Sequence, residues 1–126
     1  MNLKIKKNQI GKTNLKVTEI GMGTAPLGGW PVEVSTDSAR KTLEEAWNKG
    51  IRYFDTAPLY GSGMSEERLG NFLKDKKRDE FVVATKVGRL IVDVDFANDK
   101  FKGQNPHKDS IFDFSYDGAM RSFEES

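Results

Sequence analysis

Along the first eighteen residues Leu3, Ile5, Ile10, Leu15 and Val17 alternate with polar positions on either side of Gly11-Lys12-Thr13-Asn14, a stretch with turn chemistry. That pattern predicts a short hairpin covering one end of a larger body. Val17 to Gly23 then reads as a strand running into the small-residue loop Gly23-Thr24-Ala25-Pro26-Leu27-Gly28-Gly29, where glycine lets backbone approach a ligand closely. Ser35 or Thr36 can cap a helix, and Ala39, Leu43, Ala46 and Trp47 follow on one face at helical spacing until Gly50. Ile51 to Asp55 reads as a strand. Ser65 followed by Glu66 and Glu67 predicts a second helix start, because a hydroxyl cap and early carboxylates suit the positive end of a helix dipole. Leu69, Phe72 and Leu73 give that helix its apolar face. The charge run Lys74 to Glu80 reads as a solvated turn, and Phe81 to Lys86 as the clearest strand of the chain.

Strand, helix, strand, helix, strand with short connections predicts βαβ units and parallel strands. The expected strand ends Thr24, Asp55 and Lys86 are 31 residues apart in both steps, close to the roughly 30 residues of one repeat in an eight-fold barrel. A doubly wound sheet shares that spacing. Residues 88–114 break the rhythm: Asp93, Asp95, Asn98, Asp99, Gly103, Asn105, Pro106, His107 and Asp109 predict a long polar loop, with local strand pairing around Phe112 and Phe114. A third helix is expected from Ser115 to Asp117 onward, with Met120 and Phe123 on one face. It reaches Ser126 with neither cap nor return strand. Three strands with two and a half helices leave an open sheet edge, so the reading is a chain completed by further sequence or by a partner.

Composition narrows the function classes. The chain of 126 residues carries 20 Lys+Arg against 19 Asp+Glu, a net charge of +1, without the basic excess that drives nucleic-acid binding. No apolar run approaches the roughly 18 to 20 residues of a membrane span, and Met1 to Ile10 alternates Lys with apolar residues, so a cytoplasmic protein without membrane association is expected. There is no cysteine and a single histidine, which removes disulfides, thiol chemistry and cysteine or histidine metal clusters; no metal is expected.

The candidate chemistry lies at the strand ends. Asp55 and Lys86 belong at the carboxyl edge of successive strands, where α/β proteins gather ligands, and Tyr60 follows five residues after Asp55. The Asp55 and Lys86 side chains can form a structural ion pair, and Tyr60 can be a half-buried loop aromatic. Taken together they define a proton-transfer device. A phenol titrates ordinarily near pH ~10 and a neighbouring ammonium favours its phenolate, while a carboxylate holds the ammonium charged and aimed. No nucleophile stands beside a base, so the set suits carbonyl–alcohol interconversion better than acyl transfer. Gly21-Met22-Gly23 and Gly61-Ser62-Gly63 each begin a GxGxxG pattern but meet Pro26 and Glu66 at the third glycine position, so a Rossmann fingerprint is unsupported. His107 reads as a solvated loop residue.

The stretches Gly21-Met22-Gly23-Thr24-Ala25, Phe54 to Glu66 and Ala84-Thr85-Lys86-Val87-Gly88 resemble, in order, motifs of the aldo-keto reductase superfamily, and the likeness covers essentially the whole chain. Lys86 to Leu90 and Phe112 to Ser126 look most like the L-fucose and D-threo-aldose 1-dehydrogenases and pyridoxal 4-dehydrogenase. The resemblance implies the first half of a (β/α)8 barrel: one incomplete domain over residues 1–126, with a hairpin over 1–18, βα units from about 17, 51 and 81, and truncation in the third helix. It implies an NAD(P)-dependent oxidoreductase of small carbonyls or of aldoses at C1. In its Asp-Tyr-Lys-His tetrad, Asp55 matches the aspartate, Tyr60 the general acid and base, and Lys86 the lysine. The histidine has no match, since it follows the third helix, so an inactive fragment needing the remaining half of the barrel is expected. Gly23, Thr24 and Asp55 match positions beside the nicotinamide, and Trp30 and Leu59 are expected in the substrate wall. A noncatalytic half-barrel that binds or regulates another chain is the competing reading.

Overall fold

The computed structural model describes residues 4–96 and 105–126. Leu3 of the expected hairpin, and Asn98, Asp99 and Gly103 of the expected loop, lie outside the described residues. β1 (Lys7–Gln9) and β2 (Lys16–Thr18) pair antiparallel with Asn8 opposite Val17. Their turn is closed by the Thr13 hydroxyl, which donates to the Ile10 carbonyl at 2.7 Å, and by Gly11 at φ 51°. Thr18 joins this hairpin to the body: its buried hydroxyl accepts from the Arg52 amide at 3.3 Å and donates to the Ile20 carbonyl at 2.8 Å.

Residues 17–23 were expected as one strand, and the structure divides them. Val17 belongs to β2, the chain bends at Glu19 and Ile20, and β3 is only Met22–Gly23. Gly21 lies so close to the Tyr53 ring that a Cβ there would sit 2.7 Å from it. β3, β4 (Tyr53–Asp55) and β5 (Val82–Ala84) form a parallel sheet in that order, with Gly23 opposite Asp55 and Asp55 opposite Ala84. β4 and β5 are shorter than expected, because Ile51 folds back to donate to the Ala46 carbonyl at 3.0 Å and Lys86 lies beyond the paired ladder.

Strand alternation sorts the sheet into two faces. Met22, Phe54 and Val83 share the face covered by helices, and Gly23, Tyr53, Asp55 and Ala84 share the other. α1 (Thr36–Asn48) starts at Ser35, whose hydroxyl accepts from the Ser38 amide at 3.1 Å, and it buries Ala39 and Leu43. α2 (Met64–Leu73) buries Leu69 and Leu73. With Leu27, Phe54 and Phe81 these residues are the core. Trp47 stacks parallel to Phe54 at 6.5 Å between ring centres, with the Arg52 guanidinium 3.7 Å above its own ring.

The segment expected as a polar loop contains a second hairpin. β6 (Arg89–Asp93) and β7 (Lys108–Phe112) pair antiparallel along five residues each, with Leu90 opposite Ile111. The pairing expected around Phe112 is present, whereas Phe114 lies beyond it. The acidic and asparagine-rich composition masks two strands whose apolar residues are Leu90, Ile91 and Val92 on one and Ile111 and Phe112 on the other. α3 (Tyr116–Glu125) begins at the Ser115 cap, which accepts from the Gly118 amide at 3.0 Å. Met120 and Phe123, expected on one face, are both exposed, and the residues that α3 buries are Gly118 and Ser122. Small residues let the helix lie close to its neighbours, and the Ser122 hydroxyl donates to the Arg89 carbonyl at 3.3 Å. Among the described residues no helix is long and apolar enough to cross a membrane.

Candidate active site

Asp55 ends β4 on the face away from the helices, and Lys86 stands two residues past β5. Neighbouring parallel strands bring the two side chains together: the Lys86 ammonium donates to Asp55 Oδ1 at 2.7 Å and to the Thr56 carbonyl at 2.9 Å. The same ammonium lies 4.9 Å from the centre of the Tyr60 ring. Carboxylate, ammonium and phenol thus share one rim. The Asp55 and Lys86 side chains are 43% and 48% exposed, so the ion pair contributes only ~0–1 kcal/mol to stability; its importance is geometric.

Partial burial alone pulls the Lys86 ammonium down, but the hydrogen bond to Asp55 and the nearness of the Tyr60 hydroxyl, followed by their charges, outweigh it and leave its pKa above the ordinary 10.5. A group with a raised folded-state pKa stabilises the fold fully below its unfolded value, and that contribution is lost as pH rises through the folded value. Lys86 should therefore keep its charge above pH 10.5. Asp55→Asn should bring its titration down, as followed by NMR of the lysine side chain; an unmoved midpoint would show that the carboxylate does not hold it.

Tyr60 is positioned by a tightly wound loop. Its amide donates to the Ala57 carbonyl at 3.1 Å, the Gly63 amide to Pro58 at 2.8 Å and the Ser65 amide to the Tyr60 carbonyl at 3.0 Å. Three consecutive residues take positive φ: Gly61 at 65°, Ser62 at 52° and Gly63 at 91°. Gly61 is pressed against Gly28 of the preceding rim loop, where a Cβ would stand 2.4 Å from the Gly28 carbonyl oxygen. Arg68 of α2 ties that loop down, donating to the Leu27 carbonyl at 2.6 Å and the Thr36 hydroxyl at 3.2 Å.

The other expected site residues divide. Gly23 is exposed opposite Asp55, with nothing within 4 Å of where a Cβ would be. Thr24, expected beside the nicotinamide, is wholly buried. Its hydroxyl donates to the Asp55 carbonyl at 2.9 Å, so its side chain supports the end of β4. Trp30 and Leu59 are exposed, and His107 is exposed on the second hairpin. Sequence reasoning missed the Gly28–Gly61 contact, the Arg68 strap and the inward turn of Ser65. Ser65 was read as a helix cap, but the cap is Gly63 at φ 91° with no side-chain bond, a choice that the neighbouring glycine could have signalled.

A parallel sheet backed by helices, joined to an N-terminal hairpin through Thr18 and carrying this group at its carboxyl edge, is the beginning of a (β/α)8 barrel. The model of the aldo/keto reductase family matches residues 19–126, and the chain belongs to that family. It is 43% identical to a pyridoxal 4-dehydrogenase of Microbacterium luteolum across 100% of this chain and 40% of that protein. It is 54% identical to a D-threo-aldose 1-dehydrogenase of a Pseudomonas species across 61% of this chain and 23% of that one. The solved structure of the aldo-keto reductase AKR11C1 from Bacillus halodurans, in its holo form, superposes with a TM-score of 0.71 at 30% identity, covering 96% of this chain and 35% of that one. The chain thus spans less than half the length of each.

Proposed function

We propose that this chain supplies the proton-transfer half of an NAD(P)-dependent oxidoreductase site that interconverts a small carbonyl and an alcohol. The observation that carries the reading is the Lys86 ammonium, held 2.7 Å from Asp55 and 4.9 Å from the Tyr60 ring centre at the sheet's carboxyl edge. Gly23 and Asp55 would flank the nicotinamide, and the chemistry NAD(P) supplies when bound is hydride exchange with the carbonyl carbon. Tyr60 gives its phenolic proton to the carbonyl oxygen in reduction and takes the hydroxyl proton in oxidation. Lys86 stabilises the negative charge that develops on the Tyr60 oxygen, and Asp55 keeps Lys86 aimed. Trp30 and Leu59, exposed on the first two rim loops, wall the substrate. Names among the relatives point to aldoses and pyridoxal as the first substrates to try. Among the described residues three parallel strands form the sheet, fewer than the eight of a closed barrel, so the activity proposed is that of this segment joined with the rest of a barrel.

The test is Tyr60→Phe in the intact gene product, with NAD(P)+ and a D-threo-aldose, or NAD(P)H and an aldehyde, followed by nicotinamide absorbance. The expected loss in kcat is about 100-fold or more, the usual range for a general acid or base. Equal rates in the two proteins would remove Tyr60 from the reaction.

A further inference from the structure

α2 begins with a serine that does not cap it. Ser65 is completely buried, and its hydroxyl lies 2.8 Å from the Thr24 carbonyl, 2.9 Å from the Thr24 hydroxyl and 3.2 Å from the Thr56 hydroxyl. A hydroxyl has one proton to give and two lone pairs to receive, so the proton order can be assigned. The Thr24 carbonyl only accepts, so the Ser65 proton goes to Thr24, shared between carbonyl and hydroxyl oxygens. The Thr24 proton goes to the Asp55 carbonyl at 2.9 Å. The Thr56 hydroxyl then donates to Ser65. Among the described residues no buried side-chain nitrogen or oxygen is left without a partner.

Thr24 follows β3 and Thr56 follows β4, so this one hydroxyl ties together the ends of two adjacent strands from behind. Both ends lead to the rim. Thr24 grips the Asp55 carbonyl through its amide and its hydroxyl, each at 2.9 Å. Thr56 presents the carbonyl that receives the Lys86 ammonium at 2.9 Å. We propose that Ser65 is a positioning residue: by fixing the Thr56 carbonyl and the Asp55 backbone, it sets where the Lys86 ammonium stands relative to Tyr60. The catalytic part of this inference rests on the proton-transfer reading above; Ser65 touches none of the reacting groups. Alanine would fill nearly the same space but would take from the Thr56 hydroxyl its Ser65 partner and leave the Thr24 carbonyl with the Leu27 amide alone, at 3.0 Å, and a buried polar group deprived of its partner shifts until it finds one. Thr56 carries one of the two acceptors of Lys86, and Thr24 holds the backbone of the residue that carries the other, Asp55.

The experiment compares Ser65→Ala with Leu43→Ala in the intact gene product; Leu43 is equally buried but faces the helix core. Ser65→Ala should lower kcat by about 10- to 100-fold, the cost of misplacing a reacting group by a fraction of an ångström to an ångström, with KM nearly unchanged. It should also move the basic limb of the pH–rate profile and the NMR titration of Lys86 to lower pH, since the bonds that raise Lys86 are loosened. Leu43→Ala should lower the melting temperature and leave kcat, basic limb and titration in place. If Ser65→Ala does not fold, Ser65→Cys, which keeps an atom in the place of the hydroxyl oxygen with only a weak donor, is read by the same three measures. A folded variant at Ser65 with wild-type kcat, basic limb and Lys86 titration would overturn the proposal. If Tyr60→Phe is as active as wild type while the Lys86 titration moves in Ser65→Ala, the proton-transfer reading fails and the control of Lys86 by Ser65 stands.

Discussion

Gly61→Ala is expected to be the most damaging single-methyl change at the rim. Gly61 lies at φ 65°, and a Cβ there would meet Gly28 at 2.4 Å from its oxygen and 2.7 Å from its Cα. Both are backbone atoms, which cannot swing away as a side chain could. The left-handed conformation costs a non-glycine residue roughly 1–2 kcal/mol, and overpacking a tight contact costs roughly 1–3 kcal/mol more. Two neighbouring substitutions separate these terms. Gly28→Ala brings a Cβ to 2.5 Å from the Gly61 nitrogen and is not among the glycines at positive φ, so it carries the clash alone. Gly63→Ala has φ 91° with nothing within 4 Å and carries the conformational cost alone. Denaturant unfolding should rank Gly61→Ala as the least stable of the three. Because Tyr60 precedes Gly61 directly, the same variant should lose activity even where it folds. A Gly61→Ala protein no less stable than Gly63→Ala would show that the two rim loops are not in rigid contact.

That contact marks the boundary of what the chain discloses as text. The apolar periods of Ala39, Leu43 and Trp47, and of Leu69 and Leu73, predicted both core helices, because burial against a sheet imposes a repeat that local composition reports. Asp55 and Lys86 were legible as neighbours because parallel strands with equal spacing align their ends. Gly28 with Gly61, and Ser65 with Thr24 and Thr56, pair residues 33, 41 and 9 apart by fitting surfaces together, and no periodicity encodes such a fit. Thr24 shows the same limit from the other side. Its place next to the strand end was right, but the direction of its side chain followed from Ser65, 41 residues on. The second hairpin was legible only at its Phe112 end, for a different reason. Of its ten strand residues only Leu90 is buried, so polar residues are tolerated between Leu90 and Ile111 and the segment reads as a loop.

The fold that carries the rim group rests on one ring. Phe54 is fully buried at the middle of the central strand β4, parallel to Trp47 at 6.5 Å, and it shares its cluster with Leu43, Leu69 and Phe81. Phe54→Ala should destabilise the protein by roughly 3–5 kcal/mol, the transfer energy of the ring plus the cavity left behind. That is a large part of the ~5–15 kcal/mol available to an ordinary domain. Phe54→Leu keeps most of the volume and should lose about 1.5 kcal/mol or less. Urea unfolding of the two variants tests this, and a Phe54→Ala loss no greater than that of Phe54→Leu would show that the cavity closes and that β4 is held by something else. The consequence for function follows from strand alternation: the next residue, Asp55, points to the opposite face. A change that empties the helix-facing side of β4 therefore frees the strand whose end presents Asp55 and the Thr56 carbonyl to Lys86. Phe54→Ala protein that remains folded should accordingly show a lowered Lys86 titration, whereas Leu73→Ala, in the same core but on α2, should lose stability without moving it.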